Sequence, residues 1–86
     1  NSNAYAYWGA ALGKLGKYLE AVEKLEYALK INPNNSNVFS PLIVSLFHQK
    51  KYNEAWDVVK KAKKAKATVP KNIIMRLSKV FPEPMN

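Results

Sequence analysis

The chain has 86 residues and a mass of 9.7 kDa, with 48% hydrophobic and 23% charged residues, which is typical of one small globular domain and excludes a disordered chain. No cysteine is present, so disulfides and thiolate metal sites are excluded. The 14 Lys and Arg residues outnumber 6 Asp and Glu residues, and the net charge of +8 favours acidic partners.

The sequence repeats itself at a shift of 34 residues. The matched pairs are Leu12 with Leu46, Tyr18 with Tyr52, Glu20-Ala21 with Glu54-Ala55, Leu25 with Val59, and Ala28 with Ala62. Each unit contains two apolar stripes at helical spacing, so the repeated unit is predicted to be a pair of helices.

The first unit predicts helices over residues 3–15 and 18–31. Tyr5, Trp8 and Leu12 recur at intervals of three and four residues, which is the spacing of one helical face. Gly16 stands where a helix is expected to stop, and Pro33 lies in the polar turn after the second helix.

The second unit predicts helices over 37–50 and 53–67, and a fifth helix follows over 70–81. Because Pro41 suits the first helical position after a serine, the third helix either starts late, at Ser40, or has a distorted first turn. Asn53 is the expected N-cap of the fourth helix. Pro70 is a natural first residue for the last one.

These residues resemble the tetratricopeptide repeat (TPR) family. The first unit carries the pattern in Tyr5, Trp8-Gly9, Leu12, Gly16, Tyr18, Ala21, Leu25, Ala28 and Pro33. The second unit departs from it where Ile43, Lys50 and Ala67 replace the two glycines and the proline. The resemblance implies an all-α fold, a right-handed α-solenoid of antiparallel helix pairs. The single domain, 1–86, then divides into repeat one (2–35), repeat two (36–69) and a C-terminal capping helix (70–81).

The resemblance also implies a non-catalytic protein–protein interaction module. The expected partner is a peptide or protein surface bound in a partly apolar concave groove. The candidate groove residues are Asn3, Tyr7, Ala10, Lys14, Asn37, Val44, Phe47, His48 and Lys71. The chaperone-binding branch of the family grips a terminal carboxylate with Lys and Asn side chains. That branch is disfavoured, because Ala6, Ala10, Pro41 and Met75 occupy the matching positions and only Lys71 is retained.

A cluster of lysines supports a second hypothesis. Residues 44–86 carry ten basic and three acidic residues, a net +7, whereas residues 1–43 carry four and three, a net +1. The cluster consists of Lys60, Lys61, Lys63, Lys64 and Lys66. It is either a solvated helix face or a patch for nucleic acid, anionic membrane or an acidic protein. No arginine or aromatic residue lies within it, which disfavours a sequence-specific nucleic-acid reader.

Catalysis is not predicted. His48 has no second histidine and no carboxylate three or four residues away, so we expect it to line the groove or face water. Trp8 and Trp56 are expected in the core. We predict no cofactor, no metal and no small-molecule substrate. No apolar run approaches the ~20 residues of a membrane span, and we expect a soluble, cytoplasmic protein. Because the first helix opens with apolar residues, self-association, as in a scaffold unit, is a further expectation.

Overall fold

The computed structural model describes residues 1–85, which fold into five α-helices and contain no strand. The helices are α1 (Ser2–Lys14), α2 (Tyr18–Ile31), α3 (Phe39–His48), α4 (Tyr52–Lys64) and α5 (Lys71–Val80). The helices α1 and α2 pack as one pair and α3 and α4 as the next, while α5 packs on α3. The all-α prediction is confirmed, and every helix end lies within three residues of its predicted position. The division into repeats at residues 35 and 69 stays a prediction.

The turns that end α1 and α3 share one backbone geometry. The N–H of Lys17 donates to the carbonyl of Leu12 at 2.9 Å, and that of Lys51 donates to Leu46 at 2.9 Å. In both turns the preceding residue is left-handed, Gly16 with φ of 79° and Lys50 with φ of 61°. Such a residue closes the last helical turn at no steric cost only when it is glycine. Lys50 therefore holds a strained conformation at the position where the first helical pair has Gly16.

Lys50→Gly is expected to raise the free energy of unfolding by about 0.5–1 kcal/mol, because glycine removes the clash of a Cβ atom in the left-handed region. The matched change Gly16→Ala places a Cβ in the same geometry and is expected to lower it by a similar amount. Thermal and urea unfolding followed by circular dichroism measures both. A lower stability for Lys50→Gly would contradict this explanation.

The core lies between the two helix pairs and under α5. Its fully buried large side chains include Leu25, Phe39, Leu42, Ile43, Trp56 and Leu77. Alanines with no exposed surface, Ala6, Ala21, Ala28, Ala55 and Ala62, lie where the helices come close. Gly9 marks the tightest approach, because a Cβ atom there would lie 2.5 Å from Cγ of Leu25. These small residues therefore serve helix packing.

The last helix is joined to the second pair by a tryptophan. The Nε1 of Trp56, which is 2% exposed, donates a hydrogen bond of 2.8 Å to the carbonyl oxygen of Phe81. The ring of Phe81 stacks on Tyr52, with ring centroids 5.7 Å apart. Together with the buried Leu77, these contacts hold α5 over the end of the core.

A network of amides and one hydroxyl joins the first helix pair to the loop before α3. The side-chain amide of Asn35, which is 5% exposed, donates to Oγ of Ser2 at 2.7 Å and to Oδ1 of Asn3 at 2.9 Å. The Ser2 hydroxyl donates in turn to the carbonyl of Ala28, and the Asn37 amide donates to Asn3. The buried amide of Asn35 is thereby satisfied, and the loop is fixed against both α1 and α2.

One predicted helix cap and one predicted core residue are wrong. α3 starts at Phe39, two residues after the predicted 37 and one before the alternative start at Ser40, so Pro41 is its third residue, where its missing N–H breaks no helical bond. Asn53 does not cap α4, because that helix already begins at Tyr52. Trp8 is 49% exposed, because no further helix of residues 1–85 covers the side of α1 that carries it. Trp56 is in the core, as predicted.

Within residues 1–85, no helix combines the length and the apolar character that crossing a lipid bilayer requires.

Candidate functional site

An open groove of about 560 Å³ runs along the face that α1 and α3 share. Its lining residues are Tyr7, Ala10, Gly13 and Lys14 from α1, Tyr18 from α2, Asn37 before α3, and Ser40, Pro41, Val44, Ser45 and His48 from α3. Most of these side chains are small, apolar or aromatic. The groove therefore offers a binding surface with few fixed charges, which suits the side chains of a polypeptide.

Small residues give the groove its depth. A Cβ atom at Gly13 would lie 3.3 Å from the Ser45 hydroxyl, so α1 and α3 approach closely at this point. Tyr7 stands at the edge and is 60% exposed. An exposed aromatic ring beside a surface of small residues is the kind of group that anchors a partner at protein interfaces.

Aromatic rings form one end of the groove. The His48 imidazole stacks on the ring of Tyr18, with centroids 4.5 Å apart and planes at 10°. Phe47 meets the same imidazole edge-on at 5.7 Å. His48 therefore lines the groove, which is one of the two expected positions. No cluster of three or more potential metal ligands occurs in the described part of the chain.

A second, much smaller pocket of about 40 Å³ continues from this end between α3 and α5. Its lining residues are Ile43, Val44, Phe47, His48, Asn72, Ile73, Arg76 and Leu77. Val44 and His48 also line the groove, so the two depressions adjoin. The pocket has an apolar base, since Ile43 and Leu77 are buried, and a polar side that includes the exposed Arg76.

The structure brings most of the predicted groove residues together. Tyr7, Ala10, Lys14, Asn37, Val44 and His48 line the groove. Phe47 lines the smaller pocket instead. Asn3 lies beside the groove, where its Oδ1 accepts from Asn37 at 3.2 Å. Lys71 is exposed at the start of α5, whose pocket residues are Asn72, Ile73, Arg76 and Leu77.

Several lining residues were absent from the sequence-based prediction. Ser40 and Pro41 continue the stripe of Asn37 and Val44 at spacings of three and four residues, so the helical period contained the signal. Tyr18 lines the groove from α2 and Arg76 lines the smaller pocket from α5, and no spacing within one helix predicts either position.

The lysine cluster lies on α4, away from the groove. Lys60, Lys61, Lys63 and Lys64 are exposed on this helix, and Lys66 follows it in a left-handed conformation. A depression of about 300 Å³ lies beside the cluster and is lined by Leu29, Pro33, Asn34, Lys61, Lys64 and Ala65. Basic residues in the last helical turn also interact favourably with the helix dipole, which explains their position without a ligand.

An exposed aromatic cluster covers the outer face of α1 and α2. Tyr5 contacts Tyr27 edge-on at 4.6 Å and Trp8 at 6.1 Å, and the Lys24 ammonium lies 4.1 Å from the centre of the Trp8 ring. Trp8 and Tyr27 are each about half exposed. Self-association through this face stays a prediction.

One comparison with known proteins finds a match to the first helix pair. Residues 2–35 match the family model described as tetratricopeptide repeat. No curated protein and no solved structure matches the chain significantly. Repeats of this family generally mediate protein–protein interactions and are typically non-catalytic. The pair of α1 and α2 is therefore similar to a tetratricopeptide repeat, and the five helices of residues 1–85 fit a TPR-like arrangement.

Proposed function

We propose that this protein binds a peptide segment of another protein in the groove between α1 and α3, without catalysing a reaction. The observation that carries the proposal is the groove itself, a continuous open surface whose lining residues come from both helix pairs. The family match agrees with it, because tetratricopeptide repeats generally bind proteins.

The chemistry of the lining supports a polypeptide as the occupant. Tyr7 and Tyr18 offer aromatic faces, Val44 and Pro41 offer apolar surface, and Asn37 offers an amide that can donate to and accept from a peptide backbone. Interfaces that combine aromatic anchors with a few hydrogen-bonding groups are typical of protein recognition.

The test is a selection of random twelve-residue peptides, displayed on phage, against the immobilised protein. We expect Tyr7→Ala to weaken binding of the selected peptides about tenfold, because truncating an aromatic anchor removes roughly 1.4 kcal/mol or more of binding energy. Fluorescence polarisation with the synthesised peptides measures the affinity. Tyr27→Ala is the matched control, since Tyr27 is also exposed but lies outside the groove, and its effect should stay below about twofold.

Two outcomes would contradict groove binding. Either no peptide is enriched, or Tyr7→Ala and Tyr27→Ala weaken binding equally. Circular dichroism spectra of the two variants show whether their helices are intact, so that a loss of binding is not confused with unfolding.

The lysine cluster remains a second candidate site, favoured by the depression that Lys61 and Lys64 line. An anionic partner held there would be released by salt and by the double change Lys61→Glu with Lys64→Glu, since exposed charges are strongly screened. Its binding would be indifferent to Tyr7→Ala. The same affinity measurements at about 50 and 500 mM salt therefore separate the two surfaces.

A further inference from the structure

We propose that the segment bound in the groove is acidic and carries one large apolar side chain. The end of the apolar side chain enters the pocket between α3 and α5, and internal Asp or Glu side chains pair with Lys14 and Arg76. This inference rests on the proposed function and adds the chemical class of the partner.

The charges around the two depressions have one sign. Lys14 lines the groove and Arg76 lines the pocket, and no acidic side chain of the described residues lines either. The six acidic residues of the chain lie elsewhere, on α2, on α4 and after α5. An acidic segment would therefore be attracted to two cations and meet no negative charge. A basic segment would be repelled by both cations.

The pocket provides the apolar part of the site. Phe47, Ile43, Ile73 and Leu77 line it, and its volume of about 40 Å³ admits the end of one apolar side chain but not a helix. Burying that apolar surface favours binding. Arg76 lines the same pocket, so a carboxylate near the anchor in sequence can reach its guanidinium while the apolar side chain is buried.

Two separate anion positions are more consistent with side chains than with a chain terminus. Lys14 belongs to α1 and Arg76 to α5, and they line different depressions that meet at Val44 and His48. A terminal carboxylate is one group and needs donors that converge on it. Acidic side chains at two positions of one segment match two cations that line different depressions.

The experiment uses the phage-displayed peptide library, whose peptides are joined to the coat protein at their C-terminal end and offer no free carboxylate there. We expect the peptides whose binding depends on Tyr7 to be enriched in Asp and Glu within about four positions of a Leu, Ile or Phe, the reach of neighbouring side chains along one segment. Selection against the Arg76→Glu variant should shift the enrichment from acidic to basic residues.

Affinities of the synthesised peptides, acetylated and amidated at their ends, provide the quantitative test. Arg76→Glu should weaken an acidic peptide about tenfold, and a peptide with Lys in place of the Glu nearest the anchor should bind this variant better than the wild type. Lys79→Glu is the matched control, because Lys79 is exposed on the same helix but lines neither depression, and its effect should stay below about twofold. Arg76→Gln separates loss of the cation from introduction of an anion.

Equal effects of Arg76→Glu and Lys79→Glu would overturn the proposal, since they would show attraction to net charge alone. Peptides that depend on Tyr7 but carry no acidic excess would also overturn it, while leaving groove binding intact. If no peptide depends on Tyr7, the proposed function and this inference both fail.

Discussion

Replacing Trp56 by alanine should lower the free energy of unfolding by about 3–5 kcal/mol, the usual cost of deleting a large buried aromatic side chain. Two physical effects contribute. The indole is 2% exposed, so its removal leaves a cavity in the core, and the carbonyl of Phe81 loses its hydrogen bond. A domain of this size has a total stability on the order of 5–10 kcal/mol, so the variant should unfold near physiological temperature.

Trp8→Ala is the matched control, because the same residue type is removed from a half-exposed position and should cost less than about 1 kcal/mol. Trp56→Phe should fall between the two, since it keeps most of the packing and loses only the hydrogen bond and part of the ring. Urea unfolding measured by circular dichroism gives all three values. Similar losses for Trp8→Ala and Trp56→Ala would contradict the core that the structure describes.

Gly9→Ala should lower the free energy of unfolding by about 1–2 kcal/mol, although alanine is the better helix former. The reason is the approach of α1 to α2, where the new methyl group would lie 2.5 Å from Cγ and 2.8 Å from Cδ2 of Leu25. Helix propensity favours the substitution by about 1 kcal/mol, but overpacking a tight contact costs about 1–3 kcal/mol.

Gly13→Ala tests the same substitution on the same helix with more room. Its nearest neighbour would be the Ser45 hydroxyl at 3.3 Å, so only a small shift is needed and the change should lie within about 0.5 kcal/mol of zero. In a Leu25→Ala background, Gly9→Ala should no longer destabilise the protein. If it still destabilises that background by the same amount, the contact with Leu25 is not the cause.

The helices could be predicted well from the sequence because the apolar stripes of α1 and α2 end at clear stop signals and the repeat period carries them over to the second pair. Gly16 and Pro33 mark two of these ends, and the 34-residue period transfers the first onto Lys50, where no glycine marks it. The start of α3 was harder to predict from the sequence. Ser40 and Pro41 look like a cap and a first residue, but the loop before them is fixed by the buried amide of Asn35, a contact 33 residues distant in sequence.

The groove could be predicted only in part, and Trp8 shows why. Periodicity identifies the face of a helix that carries apolar residues, but it does not reveal whether another element covers that face. Trp8 belongs to the apolar stripe of α1 and still remains half exposed. Arg76 illustrates the converse, because its place beside Phe47 depends on how α5 packs against α3 and not on any spacing within α5.

The polar junction before α3 has a consequence for protein engineering. Asn1-Ser2-Asn3 and Asn35-Ser36-Asn37 are the same three residues 34 positions apart, and in both the first asparagine accepts a hydrogen bond from the backbone N–H two residues later. The side-chain amide of Asn35 also donates to Ser2 and Asn3 of the preceding helix pair. Asn1 holds the equivalent position before α1. A copy of residues 1–34 spliced ahead of Asn1 would give that amide the same Ser and Asn acceptors. Tyr5 and Trp8 would then occupy positions equivalent to those of the buried Phe39 and Leu42. The hydrogen bonds of this junction would therefore allow further helix pairs to be added to the array.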